Sequence, residues 1–363
     1  MIKLATVFSG IGAIEYALKK NNIDYSIVFA CDNGERMLPE TAKEIQEDII
    51  NNGIQKDAIQ DYIKSLYKKT KKENWVKKSY FANYTIKEKQ WFDEIRFIDG
   101  NDYKGKIDLF VGGSPCQSFS NMGKRGGLED TRGTLFYEFA RLVKEIQPKI
   151  FIYENVPGML NHDNGNTWSV IKNVFADLGY SFFFKTLNAK DYGIPQNRIR
   201  IYVIGFKNND VSFSFPKEKE LKTTMFDYLD EAVGTKYYLG EKGFKFVTSN
   251  TARAKVNEEV IRTQKANQQF NWNGNFVFKQ LSEIKNIEKI KTRAYVGTYK
   301  GQKGVIRLLT PKECLRLMGF DDNFKIVVPD VQMYRQSGNS IVVNVLQEIL
   351  KEIQKAGELL WKQ

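Results

Sequence analysis

Short apolar runs alternate with longer amphipathic stretches over residues 1–206. The runs have the length of buried strands, and several stretches between them, such as 133–146 and 167–178, have the apolar spacing of a helix. This alternation predicts an α/β fold with a doubly wound, mainly parallel sheet. The predicted strands are residues 4–8, 27–31, 107–111, 150–153, 182–187 and 199–206.

Two segments interrupt this pattern. Residues 39–90 look like an insertion of two helices that are separated near Asn52-Gly53. After residue 206 the alternation stops, and a helical pattern returns only in the last part of the chain. We therefore predict a larger domain, formed by residues 1–215 and 330–363, and a smaller domain of residues 216–329.

Two helices are predicted in that last part of the chain. Residues 308–320 read as a helix with Thr310 as its N-cap, Pro311 in its first turn and a glycine at its end. A terminal helix is predicted at 340–353, after Gly338-Asn339.

Cysteine usage and hydropathy narrow the cellular setting. The three cysteines, Cys31, Cys116 and Cys314, are too far apart to predict a disulfide framework or a zinc site. The N-terminus has no cleavable signal, and no apolar run approaches the roughly 20 residues of a membrane span. We expect a soluble cytoplasmic protein.

Positive charge is concentrated in one part of the chain. The net charge is +12, and the window 253–307 alone has 12 Lys and Arg against four Glu. The same window has 11 Asn and Gln, whose amides can pair with base edges. A nucleic-acid surface is favoured over an ordinary solvated one. The predicted DNA contacts are Arg253, Arg262, Lys265 and Arg293. The lysine-rich stretch 64–78 reads instead as a solvated helix face.

Reactive side chains follow three of the predicted strands. Cys116 lies on the loop after strand 107–111, and Glu154 ends the next strand. Arg198 and Arg200 are two residues apart, which predicts one face of a later strand. Because ligands bind at the carboxyl edge of such sheets, we expect these side chains to converge. The alternative is a buried, inert cysteine and structural ion pairs.

A flexible basic loop follows Cys116. Residues 121–134 contain four glycines and the cations Lys124, Arg125 and Arg132. The functional interpretation is a lid that closes over bound substrate, and the alternative is an ordinary surface loop.

The first strand leads into a glycine turn typical of nucleotide sites. Gly10 and Gly12 open a helix, but Glu15 stands where the third glycine of a dinucleotide motif would be. Asp32 ends the second strand, where a carboxylate can bind ribose hydroxyls. A nucleoside without a pyrophosphate fits better than NAD, and a plain tight turn is the alternative.

Six motifs in one order resemble the DNA (cytosine-5)-methyltransferase family of the bacterial, restriction-modification type. They are Phe8-Ser9-Gly10-Ile11-Gly12, Pro115-Cys116-Gln117, Glu154-Asn155-Val156, Gln196-x-Arg198-x-Arg200, Leu309 to Cys314 with Met318-Gly319-Phe320, and Gln336-Ser337-Gly338-Asn339-Ser340. Asp32 stands where the family usually has Glu. Asp93-Glu94 stands where it usually has Gly-Asp, so Asp93, Glu94 or, third, Asp102 would contact the adenine. The last motif implies a strand and a helix that return to the cofactor site.

The resemblance implies a fold, a cofactor and a reaction. The fold would be a Rossmann-like catalytic domain with residues 216–329 as target-recognition domain. The cofactor would be S-adenosylmethionine, with S-adenosylhomocysteine as product and no metal. Its methyl group would pass to carbon 5 of a flipped-out cytosine in a specific short sequence of duplex DNA. The implied cofactor-binding residues are Phe8, Ser9, Gly10, Gly12, Asp32, Asp93, Glu94, Pro115, Asn339 and Ser340.

The resemblance also implies roles at the reacting base. Cys116 would add to carbon 6, Glu154 would bind the N3 edge, and Arg200 would hold the base oxygen. Arg198 and the lid cations would activate the thiol, and Gln117 and Ser118 would contact the substrate. The expected partner is double-stranded DNA, bound by a monomer, with a possible restriction endonuclease that acts on the same site without direct contact. The alternatives are a tRNA cytosine-5 methyltransferase and a non-catalytic DNA-binding relative.

Overall fold

A computed structural model describes residues 1–115, 135–267, 272–284 and 287–356. The chain divides into two compact units. Unit 1 comprises Met1–Leu187, Ile199–Pro216 and Leu346–Gln363, and unit 2 comprises Asn188–Arg198 and Lys217–Val345. These units are defined by contacts within the chain, whereas the predicted domains are defined by function, so the predicted domain boundaries stay predictions.

The strands and α-helices are numbered in chain order. The strands are β1 (Ile2–Val7), β2 (Tyr25–Cys31), β3 (Trp91–Phe92), β4 (Leu109–Gly112), β5 (Ile150–Asn155), β6 (Ser181–Asn188), β7 (Gln196–Asn197), β8 (Ile199–Phe206), β9 (Lys255–Val256), β10 (Ile261–Arg262), β11 (Asn275–Gln280), β12 (Gly297–Tyr299) and β13 (Gln302–Leu308). The helices are α1 (Ala13–Lys20), α2 (Ala42–Asn51), α3 (Ile59–Lys69), α4 (Trp75–Asn83), α5 (Leu135–Ile146), α6 (Gly158–Asn161), α7 (Asn166–Asp177), α8 (Glu241–Ser249), α9 (Ile287–Lys291), α10 (Pro311–Arg316), α11 (Asp330–Asn339) and α12 (Val343–Ala356).

Unit 1 is built on a seven-stranded sheet with the order β3-β2-β1-β4-β5-β8-β6. The pairs from β3 through β5 are all parallel, and β8 runs antiparallel to β5. The predicted α/β class with a mainly parallel sheet is confirmed, and all six predicted strands are present. Parallel strands need both faces covered, and the core beside the sheet contains aromatic rings in mutual contact, such as Phe139, Phe151 and Phe175.

Three features differ from the predicted elements. The insertion contains three α-helices rather than two. The predicted break near residue 52 separates α2 from α3, and a second break after α3 separates it from α4. The strand expected in the last motif is wrong, since residues up to Asn339 form the end of α11. The two-residue strand β3 was also not predicted, because so short a run has no periodicity.

Unit 2 has a smaller sheet with the order β12-β13-β11-β9. Its core includes Phe276, Phe278 and Ile306. The predicted cap of α10 is confirmed, because the Thr310 hydroxyl accepts the N–H of Glu313 and Pro311 stands in the first turn. None of the helices in the described part of the chain has the length and hydropathy of a membrane span.

Candidate active site

The predicted cofactor loop connects β1 to α1 in a strained left-handed turn. Phe8, Gly10 and Gly12 all have positive φ, at 54°, 53° and 77°. The Asp32 carboxylate at the end of β2 accepts the backbone N–H of Gly10 at 2.9 Å and that of Gly34 at 2.8 Å. Burial raises the pKa of Asp32 above its ordinary value, while the two N–H groups act in the opposite direction. The structure thus brings the glycine turn and the carboxylate together.

The two glycines of this turn have different surroundings. A Cβ atom on Gly10 would meet only the Phe8 carbonyl oxygen, at 4.0 Å, whereas one on Gly12 would lie 2.3 Å from a ring carbon of Tyr84. Gly10 is therefore open to a ligand, and Gly12 is covered by a tyrosine of the insertion. The loop 8–12 has no cation. An open glycine, an adjacent carboxylate and no positive charge fit a nucleoside without a pyrophosphate.

The two acidic residues directly after β3, Asp93 and Glu94, are buried. Asp93 accepts hydrogen bonds from Arg36 and, at 3.1 Å, from Asn74, whose side chain also donates to the backbone carbonyl of Asp32 at 2.8 Å. Asp93 is thus one side chain away from Asp32.

The other two candidates have partners of their own. Glu94 is buried and accepts from Arg96 and from the Tyr67 hydroxyl at 3.0 Å. Asp102 is exposed and pairs with Lys56 at 2.6 Å. Of the three adenine-binding candidates, Asp93 is the one that shares a hydrogen-bond donor, Asn74, with Asp32, and the assignment stays a prediction.

The segment that leads to the predicted nucleophile is fixed to the end of β5. The Ser114 and Tyr153 hydroxyls are 2.7 Å apart, and Asn155 donates to the Ser114 carbonyl at 2.9 Å. A Cβ on Gly113 would lie 2.7 Å from the Glu154 carbonyl oxygen, so glycine is required by this close approach. The described segment ends at Pro115. Cys116, Gln117, Ser118 and the lid residues Lys124, Arg125 and Arg132 lie outside the described residues.

Glu154 and Arg200 are brought together by the antiparallel pairing of β5 with β8. In that register Glu154 lies opposite Tyr202, so Arg200 is its diagonal neighbour. The Arg200 Nε lies 3.2 Å from the Glu154 Oε1, and the side chains are 16% and 12% exposed. The pair is therefore largely buried, and both of its side chains keep a small exposed fraction.

The structure corrects the predicted placement of Arg198. It precedes β8 instead of sharing a strand face with Arg200, and it is buried in unit 2. Its guanidinium donates to the backbone carbonyls of Gln264 at 3.0 Å, Gly338 at 3.0 Å and Ser340 at 2.8 Å. A guanidinium that is bound to three carbonyls holds backbone segments together.

Ser340 is buried, and Asn339 is exposed at the end of α11. The four predicted DNA contacts, Arg253, Arg262, Lys265 and Arg293, are all exposed. The window 253–307 also has six aromatic residues, and two of them, Phe276 and Phe278, are buried in the core of unit 2. The sequence pattern missed Asn74, Tyr80 and Tyr84, because no motif connects the insertion to the cofactor loop.

Comparison with known proteins identifies the family. Residues 65–355 match the profile of the family described as C-5 cytosine-specific DNA methylase. The chain is 40% identical over 252 residues to the type II methyltransferase M.HhaI of Haemophilus parahaemolyticus, covering 68% of this chain and 75% of that protein. It is 37% identical over 290 residues to M.SsoII of Shigella sonnei, covering 77% and 72%.

Solved structures show the same fold at low sequence identity. The methyltransferase EhMeth of Entamoeba histolytica matches with a TM-score of 0.64 and 17% identity, covering 98% of both chains. The Dnmt2 methyltransferase of S. pombe matches with a TM-score of 0.64 and 18% identity, covering 98% of this chain and 99% of that chain. The profile and the type II relatives together show that the chain belongs to the C-5 cytosine-specific DNA methylase family and is a DNA cytosine-5 methyltransferase.

Proposed function

We propose that this methyltransferase acts on carbon 5 of a flipped-out cytosine in a specific short sequence of duplex DNA, through a covalent adduct of Cys116. The observation that carries the proposal is the Glu154–Arg200 pair, 3.2 Å apart, next to the anchored segment 113–115 that leads to Cys116. A carboxyl and a guanidinium side by side can bind the N3 and O2 edge of cytosine, where the protonated carboxyl donates to N3 and the guanidinium donates to O2.

The residues of the cofactor loop would hold S-adenosylmethionine. Asp32 would bind the ribose hydroxyls, Phe8, Ser9, Gly10 and Gly12 would line the nucleoside, and Asp93 or Glu94 would contact the adenine. Pro115, Asn339 and Ser340 complete the proposed set. When bound, the cofactor supplies the methyl group as a sulfonium substituent. The reaction needs no metal, because a thiolate and a proton donor activate the base.

Cys116 would begin the reaction as a thiolate. It adds to carbon 6, and the electron pair of the 5,6 double bond is taken up by the ring as N3 receives a proton from Glu154. Carbon 5 then acts as the nucleophile toward the methyl group. Transfer of the carbon 5 proton to solvent water and expulsion of the thiolate restore the 5,6 double bond, and the N3 proton returns to Glu154. Glu154 must therefore be protonated when the base binds.

The arginines and the lid would support this chemistry in different ways. Arg200 would hold the base oxygen and keep Glu154 in place. Arg198 would act as a positioning residue, because its three carbonyl contacts tie the segment at Gln264 to the end of α11. The loop 121–134, with Lys124, Arg125 and Arg132, would close behind the flipped base. Gln117 and Ser118 would contact the same nucleotide.

DNA recognition would fall to residues 216–329 as target-recognition domain, with 1–215 and 330–363 as catalytic domain. The exposed residues Arg253, Arg262, Lys265 and Arg293 would contact DNA phosphates and bases. The enzyme would act as a monomer in the cytoplasm, with a restriction endonuclease acting on the same sequence without direct contact.

The covalent step is tested with duplex DNA in which 5-fluorocytosine replaces the target cytosine. Because fluorine cannot leave carbon 5 as a proton does, the Cys116 adduct cannot eliminate. We expect the wild-type protein to form a covalent complex in the presence of S-adenosylmethionine, detectable by mass spectrometry, and Cys116→Ala to form none.

Binding and substrate class complete this test. Cys116→Ala should still bind the duplex, and tRNA should not accept methyl groups from the wild-type enzyme. An adduct in Cys116→Ala contradicts the assigned nucleophile. Transfer to tRNA with none to DNA contradicts the assigned substrate.

A further inference from the structure

Helix α4 of the insertion lies against the predicted cofactor site at both of its ends. At its start, Asn74 caps the helix by accepting the N–H of Lys77 at 2.9 Å, and its amide donates to Asp32 and Asp93. A Cβ on Gly34 would lie 2.3 Å from the Asn74 side-chain oxygen, so the contact is tight. At its other end, Tyr84 reaches the cofactor loop. One helix therefore connects the backbone of Asp32 with the glycine turn.

Tyr84 holds the carbonyl groups of the glycine turn. Its hydroxyl donates a shared hydrogen bond to the Ile11 carbonyl at 3.0 Å and the Gly12 carbonyl at 2.6 Å. Its ring covers the space where a side chain on Gly12 would be. Within the turn Phe8 has a φ of 54°, a conformation that is unfavourable for a residue with a side chain and persists when its surroundings hold it. Tyr84 is one of the residues that hold the turn, although it is 72 residues from Gly12 in the sequence.

A second connection is a chain of hydrogen bonds from Tyr80 to Ser9. The Tyr80 hydroxyl donates to Glu15 at 2.5 Å, and Thr6 donates to the same carboxylate oxygen at 3.2 Å. The Thr6 and Ser9 hydroxyls are 2.7 Å apart, and Ser9 accepts the N–H of Cys31 at 3.1 Å. Tyr80 and Glu15 are both fully buried. The chain ends on a cofactor-loop side chain and on the residue before Asp32.

We propose that the insertion 39–90 is a brace for the cofactor loop, in which Tyr80 and Tyr84 are positioning residues that hold the Phe8–Gly12 turn in its binding conformation. The inference rests on the proposed function, because it assumes that this turn binds S-adenosylmethionine. The brace acts before the cofactor arrives, so the cost of ordering the turn is met by the fold and is not taken from the binding free energy.

The proposal predicts a specific change in cofactor affinity. Tyr84→Phe and Tyr80→Phe each remove one hydroxyl and keep the ring, so the core stays packed. The dissociation constant for S-adenosylhomocysteine, measured by titration calorimetry, should rise about 2- to 12-fold in each variant, which is the range for losing one neutral hydrogen bond. The matched control is Tyr62→Phe, whose hydroxyl donates to Asp48 within the insertion. We expect wild-type affinity for the control.

Steady-state kinetics separate positioning from a general structural effect. The KM for S-adenosylmethionine should rise by the same factor in Tyr80→Phe and Tyr84→Phe, while kcat and the KM for DNA stay at wild-type values. Equal cofactor affinity in the three variants and the wild type would contradict the proposal that the insertion braces the turn. A matching loss of affinity in Tyr62→Phe also overturns it, because the effect would then not depend on contact with the turn.

Hydrogen exchange tests the brace without any ligand. In cofactor-free protein, peptides that cover residues 8–12 should exchange faster in Tyr84→Phe than in the wild type or Tyr62→Phe. Unchanged exchange overturns the brace and leaves the proposed function intact. If the wild-type protein binds no S-adenosylhomocysteine while the exchange difference is present, the proposed function fails and the brace remains.

Discussion

Glu313 in unit 2 and Glu154 in unit 1 each pair with an arginine, but the two pairs are built differently. Glu313 meets Arg307 through two hydrogen bonds of 2.8 and 2.9 Å, and both side chains are fully buried. Glu154 lies beside Arg200, with an N–O distance of 3.2 Å, and the two side chains keep 12% and 16% of their exposure. The first pair is a fully buried bidentate unit, whereas the side chains of the second pair keep some exposure to solvent.

The additional contacts of Glu313 explain the difference. Its carboxylate also accepts the backbone N–H of Thr310 at 2.7 Å and that of Asp230 at 2.8 Å. A buried pair with this many hydrogen bonds compensates the cost of desolvating its charges and leaves no room for a ligand. A Glu–Arg pair in this molecule is therefore structural where both side chains are fully buried, and is a candidate for chemistry where the side chains keep some exposure.

The largest effect is expected for Glu154→Gln. The amide keeps the size of the side chain but cannot deliver a proton to N3, so kcat should fall by about 10²- to 10⁴-fold, the usual contribution of a general acid. Single-turnover methylation of duplex DNA measures the loss. The melting temperature should stay close to the wild-type value, because the pair that is broken is partly exposed. A variant with wild-type kcat contradicts the assigned role.

The opposite pattern is expected for Glu313→Gln. Removing this charge leaves Arg307 buried without its counter-ion, which costs about 3–5 kcal/mol of stability. Urea unfolding measures the difference in free energy. The matched control is Glu258→Gln, since Glu258 is exposed in the same unit and the substitution should change stability by less than about 0.5 kcal/mol. A loss in Glu313→Gln no larger than in the control would remove the contrast between the two pairs.

Glu15 extends the comparison to a buried carboxyl without a cation. Burial raises its pKa to about 7, although hydrogen bonds from Tyr80 and Thr6 act in the opposite direction. Tyr16, Tyr25 and Tyr84 are the titratable groups that also surround this cluster, and burial raises the pKa values of Tyr25 and Tyr84, so these phenols stay neutral in this range.

This raised pKa predicts how stability depends on pH. Between about pH 4.5 and 7 the unfolded state loses the Glu15 proton and the native state keeps it, so rising pH destabilises the fold through this group, and the loss is complete above pH 7. Glu15→Gln cannot titrate. Its stability relative to the wild type should therefore be about 2–3 kcal/mol more favourable at pH 8 than at pH 4. Urea unfolding at both pH values measures this, and an equal difference at both contradicts it.

Local patterns account for most of the unit 1 framework and for the cap of α10 in unit 2. Strand-length apolar runs, breaker clusters and the Thr310–Pro311 cap act over a few residues, so they can be read from the chain. Glu154 could also be placed at a strand end because the run before it is short and apolar. Arg198 was misplaced, because two arginines at i and i+2 indicate one strand face only if the strand contains both.

The sequence by itself determined the α/β class, the mainly parallel sheet, the glycine turn after β1 and the position of Glu154 at the end of β5. Only the tertiary structure decided which partners these groups have. The contacts of Tyr84 with Gly12, of Arg200 with Glu154 and of Arg198 with three carbonyls each join residues that no short pattern relates. The physical reason is that hydrophobic periodicity reports which face of an element is buried, whereas hydrogen bonds and ion pairs depend on register and on packing between elements.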